Sequence, residues 1–302
     1  MNTGFWWIFD ALVVAIGLYV IFSNAKRGMT KVVISSIGYV ISVLLASVLA
    51  FASAPSLYES VARPTDLSAI ETINSKINYV KLFADAINAE KVGVKVDNKK
   101  IEAVLRGDNV RNFATELRTK VVGDENLNNR ASLFENNMKN VFIKAYSEQL
   151  AERMPRYVQL NFQNQVESNP DLPGIILETI YNGKLTSKEK TELIEDQFAK
   201  EPTQEVLQIF VYLIIFCILM VFAALIAAAL EYKIIFSFSK KTDHALGALI
   251  GLVETAALVA FFTIAVRLLV QLGGGTLLCF NEPTIDESKI FSFFYDHISI
   301  LL

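Results

Sequence analysis

Four stretches of this chain are long and apolar enough to cross a lipid bilayer, and they constrain everything else. They cover residues 5–23, 32–52, 206–230 and 245–270. A hydrocarbon core about 30 Å thick needs about 20 helical residues. No water reaches the backbone there, so each span must satisfy its own N–H and C=O groups, as a helix does. The chain is 53% hydrophobic over 302 residues, and the apolar excess sits in these runs while residues 53–205 are polar and charged. Four buried core helices of a soluble protein would not cluster in this way.

A cleaved signal peptide is the other reading of the first run. Its charges lie on the wrong side for that. "MNTGFWW" has no basic residue, whereas Lys26, Arg27 and Lys31 follow the run. A signal peptide carries positive charge before its apolar core. The first run therefore reads as a retained span.

Basic residues in short loops stay cytoplasmic. Lys26, Arg27 and Lys31 lie between the first and second spans; Lys233, Lys240 and Lys241 lie between the third and fourth. Trp6 and Trp7 suit the outer interface. The expected fold is an all-α integral membrane protein, with four transmembrane helices as two hairpins and a large helical extracytoplasmic insert. Its parts are a first hairpin (1–52), an insert (53–205), a second hairpin (206–270) and an extracytoplasmic amphipathic tail (271–302). Both termini and the insert are expected on the outer side of the membrane.

The insert has helical periodicity. Ile70, Ile73, Ile77, Val80, Phe83 and Ile87 share one face, as do Phe134, Met138, Phe142, Tyr146, Leu150 and Met154. Shorter stripes run through Ile101, Val104 and Leu105, then Phe113, Leu117 and Val121. "NPDLPG" at 169–174 reads as a loop, and Thr186 with Glu189 has capping-box spacing. The stripes either pack on one another or lie against the membrane surface or a partner.

The insert has no histidine and no cysteine, so it cannot build a zinc site or a histidine-dependent triad. No phosphate-binding glycine loop is present. The expectation is therefore a protein that is not an enzyme and holds no cofactor or metal. A net charge of −3 gives nucleic acid no attraction.

Small residues line three spans at helical spacing: Ser35, Gly38, Ser42 and Ala46; Ala223, Ala224, Ala227 and Ala228; Gly247, Gly251 and Thr255. Such faces let helices approach closely, within one chain or between copies. Three ionisable residues fall inside spans. Asp10 and Arg267 lie at similar depth near the outer end, where they either pair or reach separately for the headgroups. Glu254 lies about nine residues from the inner end, roughly 13 Å deep at ~1.5 Å per residue. An acid there must face the bundle interior or water. It is either a polar packing residue bonded across helices or part of a polar path.

Asp10, then "KRG" at 26–28, then "TDHALGALIGLVET" at 242–255, resemble the pattern of the CvpA family, named for colicin V production. Asp10, Arg27, Gly28, Asp243, Gly247 and Gly251 fall on its motif positions. Glu254–Thr255 stands where members often carry Arg–Gly. The resemblance implies a membrane protein that supports production or secretion of a bacteriocin toxin, or cell-envelope maintenance, with a channel-like homo-oligomeric bundle as one form. A membrane-anchored protein that binds or senses a partner through its insert is the alternative.

Overall fold

The computed structural model describes residues 5–90, 96–127, 130–230, 239–275, 277 and 279–301. All elements among the described residues are helical. They are α1 (Trp6–Arg27), α2 (Met29–Leu57), α3 (Arg63–Lys76), α4 (Tyr79–Ala89), α5 (Asn98–Leu105), α6 (Phe113–Leu117) and α7 (Ala131–Arg153). Then follow α8 (Arg156–Ser168), α9 (Leu172–Tyr181), α10 (Ser187–Phe198), α11 (Lys200–Leu230), α12 (Lys240–Gly273), α13 (Glu282–Asp286) and α14 (Phe291–His297). The chain divides into two compact units, Glu59–Thr203 and a second made of Met1–Tyr58 with Gln204–Leu302.

The second of these contains four helices long and apolar enough to cross a membrane. Each extends past the apolar run that marks it, because the flanking polar residues continue the helix into the interface. α12 is the centre of this unit and packs along both α1 and α2. Its inward face carries Gly247, Gly251, Glu254, Ala257, Ile264 and Val266. α11 meets the other spans at few points. One is Gly38 of α2 against Ala223, where a Cβ on the glycine would come within 2.7 Å of the alanine methyl. Another is the stacked pair Phe216 and Phe261, with centroids 4.9 Å apart. The outward faces are apolar, with Leu18, Phe22, Val48, Phe51, Val221 and Leu225 all exposed. In water these faces would be unfavourable; against acyl chains they are at home. The partner they imply is a lipid bilayer.

α12 ends at Gly274, which takes the left-handed conformation at φ 55°. Beyond it the tail turns back. Phe291 stacks on Phe9 at 5.0 Å and tilts against Phe262 at 5.4 Å, joining α1, α12 and α14 in one aromatic cluster.

The unit Glu59–Thr203 has its own core. The stripes expected from the sequence turn inward together: Ile70, Ile73, Phe83, Ile87, Ile101, Leu105, Phe113 and Leu117 are fully buried. A run of rings, Tyr79–Phe142–Tyr146–Phe162–Phe198, threads the centre at centroid spacings of 5.2–5.7 Å. α7 stops at Arg153 because Met154 precedes Pro155 and is extended. α10 starts with the capping box, Thr186 and Glu189 exchanging side-chain and backbone bonds.

The loop expected at 169–174 is shorter than the sequence suggests. α9 begins at Leu172, with Pro173 in its first turn, where a missing N–H costs nothing. Gly174 is helical and buried because the carbonyl of Arg111 lies where its side chain would be.

Candidate functional site

The residues singled out in the spans gather at two places in one unit. The first is the turn between α1 and α2, closed by α12. A single residue, Gly28, joins α1 to α2 at φ 81°, a backbone that side chains rarely adopt. The carboxylate of Asp243 lies directly over it, where a Cβ would fall. One turn along α12, Gly247 sits on the same backbone. A Cβ there would come within 2.6 Å of the Asn24 carbonyl oxygen and 2.9 Å of the Gly28 carbonyl carbon. Gly251 continues the contact against Ile21 and Asn24. His244 Nδ1 lies 2.6 Å from the carbonyl oxygen of Ala25. The small face of α12 is thus the seat of the α1–α2 turn.

This contact also brings the basic segments to one end of the unit. Lys26, Arg27 and Lys31 flank the turn, and Lys240 and Lys241 open the helix that packs on it. Lys233, also expected in that basic set, lies outside the described residues.

Glu254 stands one turn deeper than Gly251 and is 4% exposed. Three side chains from two helices hold it. Asn24 Nδ2 of α1 donates to Oε2 at 2.6 Å. From α2, Ser35 Oγ lies 2.6 Å and Ser36 Oγ 3.1 Å from Oε1. Ser35 also reaches the carbonyl of Val32 at 2.9 Å, so its one hydroxyl proton has two acceptors to serve. Asn24, Ser35 and Ser36 are themselves buried. The cluster joins three spans through polar atoms in an apolar medium, where such groups have no alternative partner in the lipid.

Sequence reasoning did not connect Asn24 or Ser36 to Glu254, and placed Ser35 only on a small-residue face. A polar amide inside the apolar run "VIFSNA" was the available signal.

The second place is the aromatic end. Asp10 does not pair with Arg267; no ion pair joins them among the described residues. Its carboxylate accepts from the backbone N–H groups of Lys289 at 2.8 Å, Ile290 at 2.9 Å and Phe291 at 2.9 Å. Phe291 opens α14 and Lys289 and Ile290 immediately precede it, so these amides have no intrahelical acceptor. Asp10 therefore caps the returning tail, and similar depth in the bilayer did not decide its partner. Arg267 is half-buried on α12, within electrostatic reach of Tyr295 in the tail.

The other unit holds a charged cluster around the buried Glu195 that the sequence reading missed. Arg63 binds Glu59 at 2.7 Å, Glu192 at 3.4 Å and the fully buried Glu195 at 3.1 Å. Nearby, Asp66 accepts from Thr203 Oγ1 at 3.1 Å. Burial pushes the Asp66 carboxyl up to about 6; the Thr203 bond opposes this and the negative charge of Glu195 adds to it.

No curated protein and no solved structure matches the chain. A family model does match, over less than half of its length. The matched stretch begins at Tyr181 and contains α11, α12, α13 and α14, and with them Asp243, Gly247, Gly251, Glu254 and Arg267. Asp10, Arg27 and Gly28 fall outside it, and Asp10 and Gly28 pack directly on it. Residues 181–299 of this chain are a domain of the Colicin V production protein family.

Proposed function

We propose that this protein serves a bacterial cytoplasmic membrane by supporting the production or secretion of a protein toxin, or the maintenance of the envelope. The observation that carries this reading is the join between the family domain and the α1–α2 turn. The family's glycine face on α12 is used to build a closed, polar-clasped transmembrane unit. Glu254 is buried and held by Asn24, Ser35 and Ser36, which favours a packing role for this acid over a solute path through it. A channel-like form would instead run between copies of the chain.

The proposed topology places the α1–α2 turn and the start of α12 in the cytoplasm, with both termini and residues 53–205 outside, and the four spans acting as two hairpins. Gathering of basic residues at one end of the unit supports it. The second reading, a membrane-held binding or sensing protein, is favoured by the separate core of Glu59–Thr203.

The test is made in cells lacking the protein, complemented with wild type or Glu254→Ala. Toxin release and leakage of an envelope marker enzyme are measured. Restoration by wild type alone supports the reading; unchanged release and leakage without any protein would sink it. Oxidation of the native Cys217, exposed on α11, reports copies that meet through that helix. A photo-cross-linker at the exposed Leu133 or Leu193 captures a discrete partner if the second reading holds.

A further inference from the structure

Between α2 and α11, beside the α1–α2 turn, lies a cavity of about 180 Å³. Arg27, Lys31 and Tyr39 line one side; Ala224, Ala227 and Ala228 of α11 line the other. We propose that this crevice binds an anionic phospholipid, its phosphate against Arg27 and Lys31 and an acyl chain along the alanine wall.

Two features argue for such an amphiphile over a free ion. The mouth is cationic, and a guanidinium binds phosphate oxygens in pairs while an ammonium adds a point charge. Basic pockets between transmembrane helices at a membrane surface suit anionic headgroups for this reason. The far wall is apolar side chains of α11, the alanines with Met220, which offer little to a hydrated phosphate but accommodate a hydrocarbon chain. The sparse packing of α11 leaves this slot between spans, and the adjoining outer face of α11, with Val221 and Leu225, is exposed and apolar.

The charge at this end is not uniform. Lys26 lies over the ring of Phe22 at 4.5 Å and does not line the cavity. Among the described residues, the acids on this side are Asp243, which lies over Gly28, and Glu254, held by Asn24 and the serines. Tyr39 stands within electrostatic reach of both Arg27 and Glu254. Ser35 lines the cavity and also bonds Glu254, so a bound headgroup sits one side chain from the polar clasp.

The test uses the purified, delipidated full-length chain and native mass spectrometry. Phosphatidylglycerol, phosphatidylcholine and inorganic phosphate are the probes. One phosphatidylglycerol is expected to be retained in preference to phosphatidylcholine, and not displaced by equimolar inorganic phosphate. Arg27→Gln combined with Lys31→Gln should lower retention about tenfold or more, since each cation contributes severalfold at a membrane surface. Ala227→Leu, which fills the slot without touching charge, should lower it comparably. Arg27→Lys should keep most of the binding, and circular dichroism of each variant checks that it folds. Lys26→Gln should leave retention unchanged. Equal retention of the two lipids, displacement by inorganic phosphate, or a loss with Lys26→Gln as large as with the double variant would each overturn the proposal.

Discussion

Asn24 of α1 donates to Glu254 of α12 across 2.6 Å, joining residues 230 positions apart in the chain. Ser35 and Ser36 complete the clasp from α2. The arrangement makes the deep acid an organiser of three helices, and its consequences are measurable.

Removing the carboxyl leaves buried donors without an acceptor. Glu254→Ala is expected to destabilise the transmembrane unit by about 1–3 kcal/mol. Glu254→Gln should stay near wild type: its oxygen accepts from Asn24 while its amide donates to Ser35, freeing that hydroxyl for Val32. Unfolding in detergent, followed by circular dichroism, compares the two. Combining Glu254→Ala with Asn24→Ala should cost less than the sum of the single changes.

The glycine seat tolerates no added volume. Gly247→Ala places a methyl 2.6 Å from the Asn24 carbonyl oxygen, so the turn must move. A loss of about 1–3 kcal/mol is expected from such overpacking. Gly28→Ala adds strain at φ 81° to a collision with Asp243. Gly275, at φ 68° with open space around it, should lose only its backbone preference, and Gly275→Asn should be tolerated. Detergent unfolding midpoints rank the three.

Asp10 caps the tail, so its loss should release the tail. Asp10→Ala is expected to cost about 1–2 kcal/mol, as lost helix caps do. Labelling of the half-buried Cys279 by a thiol reagent should accelerate, with Cys217 replaced. A charge exchange, Asp10→Arg with Arg267→Asp, should not restore slow labelling, because the three backbone amides need an acceptor at position 10. Recovery in the exchanged protein would show that the pairing of the two charges matters after all.

The buried Asp66 makes the stability of Glu59–Thr203 fall as pH rises. Its carboxyl is raised from 3.8 to about 6, so between these values the folded state binds more proton than the unfolded one. The stabilisation is complete below about 4 and is lost as pH rises through about 6. Asp66→Asn should remove this component and be the more stable of the two at pH 7.5, by about 1–2 kcal/mol. Thermal unfolding at pH 4.5 and 7.5, with the full chain, checks the difference between the two proteins. An identical pH response in both would refute it.

Much of the architecture was legible in the sequence because it depends on local periodicity. Ile70, Ile73, Phe83 and Ile87 recur on one helical face, and that face is buried. Thr186 and Glu189 needed only their spacing to cap α10. "NPDLPG" was misread because proline and glycine are loop residues on average, yet Pro173 sits in the first turn of α9 and Gly174 admits the Arg111 backbone. A close approach by a distant segment leaves no local trace.

The sequence by itself determined four helices long and apolar enough to span a membrane and a separate helical unit, since helix length and amphipathic period are read along a single segment. It also marked Glu254 as facing the bundle interior or water, since lipid does not accept an isolated acid, and the Gly247–Gly251 face as a place of close helix approach, within the chain or between copies. Only the tertiary structure decided that the face receives Gly28 and Asn24, that Ser35 and Ser36 meet the acid, and that Asp10 turns to the tail amides and away from Arg267. Those choices depend on which helices lie side by side and at what rotation. Packing sets these among segments more than 200 residues apart, and no periodicity within one helix encodes its neighbour.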